Sequence, residues 1–244
     1  GLPVVCASYA SPMERIDQVV GADWESGYGV AQMLLELGHR NMAFVHGSAT
    51  PMGRAERFRG FRDGASTADD THVDDIVFDE SEGFRSAFFR YLRSGKEPTA
   101  LFCAHDGIAI AVISELLRLG IRVPEDISVV GFNDFASAMH MSPRLTTVRT
   151  PQVEMGAAMV RCIAERLAST EARNRPPVRL ALVSEIIERE SAAEAGKTDW
   201  LPRAYRPSTR LSDHPSHVRL VVHLCGLTFD DRTAILFRIN KVHI

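Results

Sequence analysis

The chain of 244 residues lacks the features that mark secreted and membrane proteins. Its four cysteines are widely separated and none forms a Cys-x-x-Cys pair, so the sequence predicts free thiols in a reducing compartment. No apolar run approaches the roughly 20 residues that cross a bilayer. The N-terminus has no basic segment followed by an apolar core, as a secretory signal would have. We therefore expect a cytoplasmic protein that does not contact a membrane.

Motifs of the common enzyme classes are also missing. The loop 47–54 contains glycines but no Gly-Lys-Ser/Thr, which excludes a phosphate-binding loop, and no Gly-x-Ser-x-Gly is present. Four potential zinc ligands are spaced as in no common zinc site: His214, His217, His223 and Cys225. We expect no enzymatic activity, no cofactor and no metal. The formal net charge of −3 gives no indication that this chain alone binds nucleic acid.

Glutamate is absent from residues 197–244, although it is frequent earlier in the chain. That stretch has eight Lys/Arg against four Asp, a surplus of four positive charges, and three prolines interrupt it. A basic tail is usually a solvated appendage. A nucleic-acid-contacting tail and the product of a shifted reading frame remain open as alternatives.

Apolar residues alternate between strand and helix spacing along most of the chain. Short β-branched or aromatic runs at 42–45, 74–78, 100–104 and 127–131 are separated by amphipathic patterns, which predicts βαβ units and a parallel sheet. Asp23 would cap the first of these helices. A later helix would have an apolar face made of Gly156, Val160, Ile163 and Leu167.

The stretch 123–134 joins a turn, a buried strand and a group of potential ligand contacts. Ile127, Val129 and Val130 predict a strand buried on both faces, and Gly131 ends it. Residues 132–134, Phe-Asn-Asp, follow at the strand's carboxyl end. Ligands bind at that end in open α/β sheets, so aromatic and amide groups there are candidate contacts.

This stretch resembles the signature of the LacI/GalR (lactose/galactose repressor) family of bacterial transcription factors. Four other segments are similar to the family in the same order: Glu36–Phe44, Arg57–Phe61, Pro98–Asp106 and Leu145–Pro151. The resemblance covers about residues 20 to 190. It implies an α/β fold of the periplasmic-binding-protein-like type I, with an effector, usually a sugar or a purine, bound between two subdomains.

The resemblance also implies domain boundaries. Residues 23–149 and 180–191 would form one complete parallel-sheet subdomain, the C-terminal effector subdomain. Residues 1–22 and 150–179 would be a remnant of the N-terminal effector subdomain, and 192–244 an unmatched basic tail. No helix-turn-helix pattern precedes residue 23. The remnant would expose apolar sheet and helix faces, so we expect poor solubility or self-association.

Five residues match positions that bind effector in the family. Arg57 would contact the ligand, although a helix-surface arginine is the alternative. Phe78 would stack on it or belong to the core. His105 stands where the family usually has asparagine. Asp106 would contact the ligand or only cap the following helix. Asn133 stands where the family often has aspartate, and its amide both donates and accepts.

The resemblance therefore predicts the effector-sensing core of a transcriptional regulator, without its helix-turn-helix. Expected partners are a small-molecule effector such as a sugar, a second copy in a homodimer, and operator DNA only through the missing N-terminal domain. A periplasmic-type solute-binding receptor and a non-functional gene remnant remain as alternatives. A signal peptide would indicate the receptor, and an upstream helix-turn-helix would indicate the regulator.

Overall fold

The computed structural model describes residues 2–7, 16–48, 52–79 and 81–196. The basic stretch 197–244, including the four potential zinc ligands, lies outside the described residues. In chain order the elements are β1 Val5–Ala7, β2 Asp17–Gly21, α1 Asp23–Glu36, β3 Asn41–Gly47, α2 Met52–Ala65, β4 His72–Phe78, α3 Gly83–Arg93, β5 Ala100–Cys103, α4 Asp106–Arg118, β6 Ser128–Asn133, α5 Ala136–His140, β7 Thr146–Arg149, α6 Gln152–Ala168, α7 Thr170–Asn174, β8 Arg179–Leu182 and β9 Glu185–Ile187.

The larger of two sheets has six strands in the order β4-β3-β5-β6-β7-β9. All neighbours are parallel except β7 and β9. Every residue of β5 is buried, as expected for a strand covered on both faces. Phe44, Phe61, Phe88 and Phe102 are among the largest fully buried side chains of the core that this sheet shares with its helices. The predicted α/β class with a parallel sheet is confirmed.

Two glycines allow α1 and α2 to cross at close range. A Cβ atom at Gly27 would collide with the backbone of Arg57, and one at Gly60 would collide with the backbone of Trp24. The crossing brings Asp23, at the start of α1, next to Arg57 in α2. Gly27 and Gly60 therefore help to position a predicted ligand contact.

The smaller sheet has three parallel strands in the order β1-β2-β8. The resemblance predicted that residues 180–191 belong to the subdomain of the larger sheet. β8, which contains Leu180, instead hydrogen-bonds to β2 in the smaller sheet, while β9 pairs with β7 in the larger one. Val19 pairs with Leu180 in the β2–β8 register. The chain thus leaves the smaller sheet only after Leu182, later than expected.

The buried face of α6 differs from the predicted face. Met155, Ala158, Cys162 and Arg166 are buried, whereas Val160 is 68% exposed. The reason is electrostatic: Arg166 forms a two-point ion pair with Asp17 of β2, which fixes the rotation of the helix. Of the predicted apolar face, Val160 and Leu167 are exposed, whereas Gly156 and Ile163 are half-buried.

Large apolar side chains with high exposure are concentrated in and beside the smaller sheet. They are Leu2, Val4, Val153, Val160, Leu167, Val178, Leu180 and Val183. The expected exposure of apolar surface in this part of the chain is confirmed. In the described part of the chain, no helix is long and apolar enough to cross a membrane.

Candidate functional site

Three crossings between the two sheets define one edge of the larger sheet. The chain passes from β2 to α1 near residue 22, from β7 to α6 near residue 150, and from β8 to β9 near residue 183. The second crossing starts at the carboxyl end of β7. The carboxyl ends of the parallel strands β3 to β7 therefore share the edge from which the chain crosses to the smaller sheet. Open α/β sheets bind ligands at such an edge.

Arg57 is held rigidly at this edge by three groups. Its Nη2 and Nε atoms donate to one carboxylate oxygen of Asp23, at 2.7 and 3.2 Å, and Nη1 donates to the Ala104 carbonyl. Its guanidinium carbon lies 3.2 Å from the centroid of the Phe132 ring. The side chain is only 12% exposed. Burial lowers the pKa of Arg57, and Asp23 opposes this by stabilising the charge.

Asp23 does not act as the helix cap that the sequence predicted. Ala22 is the N-cap of α1, and it makes no side-chain capping hydrogen bond. The carboxylate of Asp23 is instead used by Arg57, which lies 34 residues later. An aspartate in the first turn of a helix can form an ion pair with a neighbouring helix, and Asp23 does so with Arg57 of α2. Asp23 is a site residue that sequence reasoning missed.

His105 caps α4, which corrects the alternative that Asp106 is the cap. The backbone of His105 is extended, and its Nδ1 accepts a hydrogen bond of 3.3 Å from the Ile108 amide. The pKa of His105 is lowered by burial and then by the positive charges of Arg54 and Arg57. Its imidazole is therefore held neutral at neutral pH, with Nδ1 acting as an acceptor.

Asp106 is completely buried and holds the loop that follows β6. One oxygen accepts from the Thr147 hydroxyl at 2.5 Å, and the other accepts from the Phe135 amide at 2.6 Å. Burial raises the pKa of Asp106, although these hydrogen bonds oppose the rise. A Cβ atom at Gly131 would collide with its carboxylate. Asp106 therefore acts on the candidate site indirectly, by holding the loop after β6 in place.

The loop after β6 has a strained backbone. Asn133 has a φ of 110° and Asp134 a φ of 55°, values that side-chain-bearing residues rarely adopt. Burial would raise the pKa of Asp134, but hydrogen bonds from Arg189 and Arg149 lower it below its ordinary value. Asp134 is thereby anchored to β7 and to the segment after β9. The anchors hold Asn133 at the edge of the sheet.

Phe78 ends β4, and its ring packs against the core and against Phe84 of α3. The ring meets Phe84 nearly edge-on, with the two centroids 6.4 Å apart. Phe78 also lines a cavity of about 470 Å³ together with Ile108 and Val112. These contacts are those of a half-buried residue at the margin of the core. The structure thus brings Arg57, His105 and the loop of Asn133 to one edge. Phe78 ends the parallel strand β4 at the same edge, with its ring against Phe84.

Two further residues contribute to the site: Arg54, which the sequence analysis did not select, and Phe132, which it selected as a candidate ligand contact but not as a support for Arg57. Arg54 lies one helical turn before Arg57 and donates to the Gly47 carbonyl at 3.2 Å. Phe132 is 2% exposed and supports the Arg57 guanidinium. The spacing of Arg54 and Arg57, three residues apart on a helix, was a usable signal for the first. The contact between Phe132 and Arg57 joins residues 75 positions apart, and no local pattern in the sequence indicates it.

Residues 31–192 match the family described as periplasmic binding protein-like domain. The HTH-type transcriptional repressor PurR of Aliivibrio fischeri is 32% identical over 179 residues, covering 71% of this chain and 53% of that protein. The HTH-type transcriptional regulator DegA of Bacillus subtilis is 33% identical over 202 residues, covering 79% and 57%. The chain thus spans about half the length of these curated relatives.

Solved structures show the same fold. The complex of the transcriptional regulator CelR with cellobiose has 29% identity and a TM-score of 0.64, covering 77% of this chain and 58% of that one. A LacI family regulator from Enterococcus faecium with bound ribose has 22% identity and a TM-score of 0.68, covering 79% and 71%. The predicted fold and family are confirmed: the chain belongs to the periplasmic binding protein-like domain family, in the form that LacI-family regulators carry as their sensor domain.

Proposed function

We propose that this chain is the effector-sensing core of a LacI-family transcriptional regulator. The observation that carries the proposal is the arrangement around Arg57, whose guanidinium is fixed by Asp23 and Phe132 at the carboxyl edge of the larger sheet. His105 follows β5, and Asn133 ends the neighbouring strand β6 at the same edge. A polar set supported by a rigid core is typical of a site that binds a small molecule.

Each predicted site residue has a role in this proposal. The remaining N–H groups of Arg57 donate to the effector, and the Asn133 amide both donates and accepts. His105 offers a neutral imidazole, and Phe78 gives an apolar margin. Asp106, which is buried, positions the loop from inside. The proposed effector is a sugar or a related small molecule, and the proposed role is binding without catalysis.

The same residues suggest how effector binding acts on the rest of the protein. Arg57 is bonded to Asp23 at the first crossing between the sheets, and Asp134, beside Asn133, is bonded to Arg149 at the second. Arg149 also lies 3.5 Å from Glu185 at the third crossing. An effector that bridges Arg57 and the loop of Asn133 would therefore act on the first and second crossings together and change the angle between the two subdomains.

The wider proposal concerns domains and partners. Residues 1–22 and 150–179, with β8 added, are proposed to form part of the N-terminal effector subdomain. A homodimer in the cytoplasm is proposed, and exposed Leu117, Phe135 and Met139 give the larger subdomain apolar surface for association. Operator DNA would be contacted by a helix-turn-helix outside these residues, not by this chain.

Thermal unfolding in the presence of candidate effectors tests the proposal. The panel contains ribose, cellobiose, purine bases, sugar acids and sugar phosphates, each at millimolar concentration. We expect at least one compound to raise Tm, and Arg57→Ala to abolish that rise because the donor at the site is lost. Arg59→Ala is the matched control, since Arg59 is exposed on the same helix and pairs with Glu56. An equal response of Arg57→Ala and wild type would contradict the proposed site.

A further inference from the structure

The three crossings between the sheets meet at one place. Thr150 lies on the second crossing, and a Cβ atom added at Gly21 on the first would lie 3.8 Å from its Cγ2 atom. The Ala22 amide on the first crossing donates to the Leu182 carbonyl at 2.9 Å, where the third crossing begins. Any rotation of one subdomain against the other has to bend the chain at these crossings. We call the following residues the hinge: 21–22, 149–151 and 183–184.

Two hydroxyl groups in the hinge are buried without a hydrogen-bond partner. In the described part of the chain, no residue bonds to the Oγ1 atom of Thr150 or to the Oγ atom of Ser184, and both atoms are shielded from solvent. Strand β7 pairs with β9 in the antiparallel register that joins Arg149 to Glu185. One further step of that register places Thr150 opposite Ser184. A buried hydroxyl without a partner raises the free energy of the conformation that contains it.

Comparable hydroxyls close to the hinge do have partners. The Oγ1 atom of Thr146, on the same strand as Arg149, accepts a hydrogen bond of 2.8 Å from the Arg189 amide. The Ser191 hydroxyl donates to the Val129 carbonyl at 2.6 Å and accepts from the Thr146 amide at 2.8 Å. The unpaired hydroxyls are therefore a feature of the hinge and not of the sheet beside it.

We infer that Thr150 and Ser184 form a switch in the hinge. Their hydroxyls are unpaired in the present orientation of the two subdomains and bond to each other in a second, rotated orientation. Serine and threonine at opposite positions of antiparallel strands can bond in this way, because their Cβ atoms lie about 4.5 to 5.5 Å apart. The bond that is gained offsets part of the cost of rotation, so the two orientations stay close in free energy.

The switch adjoins the loop after β6. Arg149 precedes Thr150 and donates to Asp134 of that loop at 2.8 Å. Glu185 follows Ser184 and lies 3.5 Å from Arg149. As regulation of the sensing site, the switch rests on the proposed function. An effector that binds one orientation more tightly would shift the population between unpaired and paired hydroxyls.

Urea denaturation of the full chain tests whether the two hydroxyls are unpaired. Thr150→Val and Ser184→Ala remove them with little change in shape, so we expect the urea midpoint to stay the same or to rise. Thr146→Val and Ser191→Ala are the matched controls, and each should lower the midpoint because a bonded hydroxyl is lost. If Thr150→Val and Ser184→Ala lower the midpoint as much as the controls do, the hinge hydroxyls are already bonded to the chain or to water, and the inference is wrong.

Hydrogen exchange at the Ala22 amide tests whether the hydroxyls bond to each other in the second orientation. This amide bonds across the first and third crossings, so bending of the hinge exposes it. We expect Thr150→Val and Ser184→Ala each to slow its exchange by the same factor, at least about fivefold. The double variant should be no slower, because either replacement alone removes the whole advantage of the paired orientation. The Ser128 amide, bonded to the Thr99 carbonyl in the larger sheet, should slow less.

The outcomes separate this inference from the proposed function, because neither measurement needs an effector. If the slowing adds up in the double variant, the two hydroxyls find separate partners. If neither variant slows exchange at Ala22, the hinge does not rotate through a state in which the hydroxyls are paired. Both results would overturn the switch and leave the sensing role intact. If the switch behaves as expected but no compound of the effector panel raises Tm, the proposed function fails and the switch remains a property of the hinge alone.

Discussion

The guanidinium of Arg57 lies over the ring of Phe132, with the guanidinium carbon 3.2 Å from the ring centroid. The pair joins α2 to the end of β6, and Asp23 closes the arrangement from α1. A cation over an aromatic face is attracted to the ring electrons, and burial strengthens this attraction. The arginine is therefore pre-oriented before any ligand arrives, which reduces the entropy lost on binding.

The first prediction concerns the planar shape of that arginine. Arg57→Lys keeps the charge but loses the fork that bonds to Asp23 and the flat group that covers Phe132. We expect effector affinity to fall at least about tenfold, since a charge-assisted hydrogen bond is worth about 1.5 to 3 kcal/mol. Calorimetric titration of wild type and variant measures the change. Arg59→Lys should bind as wild type does, and an unaffected Arg57→Lys would show that its charge alone suffices.

The second prediction uses two glycines in different surroundings. Gly131→Ala places a Cβ atom against the Asp106 carboxylate and 2.8 Å from a Leu145 methyl group, so we expect a loss of about 1 to 3 kcal/mol in the free energy of unfolding. Gly156→Ala in α6 meets no atom within 4 Å and should stabilise by up to about 1 kcal/mol through helix propensity. Urea denaturation compares the two. Equal changes in the free energy of unfolding for the two variants would mean that the close contacts at residue 131 do not limit stability.

Local patterns predicted much of the larger sheet. The run at 127–131 is apolar and β-branched and ends in a glycine, and the strand formed is Ser128–Asn133. The position of Asn133 at the carboxyl end followed from that strand alone. Buried parallel strands are recognisable because both faces need apolar side chains, which leaves a continuous run in the sequence.

The contacts that define the site are less visible in the sequence because they are non-local. Asp23 has the residue type and position of a helix cap, yet its partner lies on another helix. Arg166 has the residue type of a surface position, yet it is buried against Asp17 and sets the rotation of α6. Spacing rules assign charged residues to the solvent face. A buried ion pair between distant positions can therefore rotate the buried face of a helix away from the face that the spacing predicts.

The third prediction concerns the pH dependence contributed by Asp106. Because burial raises its pKa in the folded state, its contribution to stability is greatest below the unfolded pKa of about 3.9 and is lost as pH rises through the folded pKa. Asp106→Asn removes this titration and gives the Phe135 amide or the Thr147 hydroxyl a poor partner. We expect a cost of about 1 to 3 kcal/mol at neutral pH, and a larger cost at acidic pH.

Urea denaturation at several pH values measures the difference between wild type and Asp106→Asn. Asp69→Asn is a suitable control, because Asp69 is exposed in a turn. We expect the difference in the free energy of unfolding between wild type and Asp106→Asn to become smaller as pH rises through the acid range. A difference that widens instead would mean that the folded carboxylate is stabilised as an anion, contrary to its burial.

The last prediction concerns the exposed side of α6. Val153, Val160 and Leu167 are 81%, 68% and 52% exposed and recur every seven residues, which aligns them along one side of the helix. Covering such a stripe is favourable by about 25 cal/mol per Å² of apolar area. We therefore expect concentration-dependent self-association in sedimentation velocity experiments. Replacing Val160 and Leu167 together by glutamine should raise the dissociation constant at least about tenfold, whereas Glu154→Gln should not. A wild-type chain that stays a monodisperse monomer and melts cooperatively would contradict the predicted self-association, because the exposed apolar side of α6 would then be stable in contact with water.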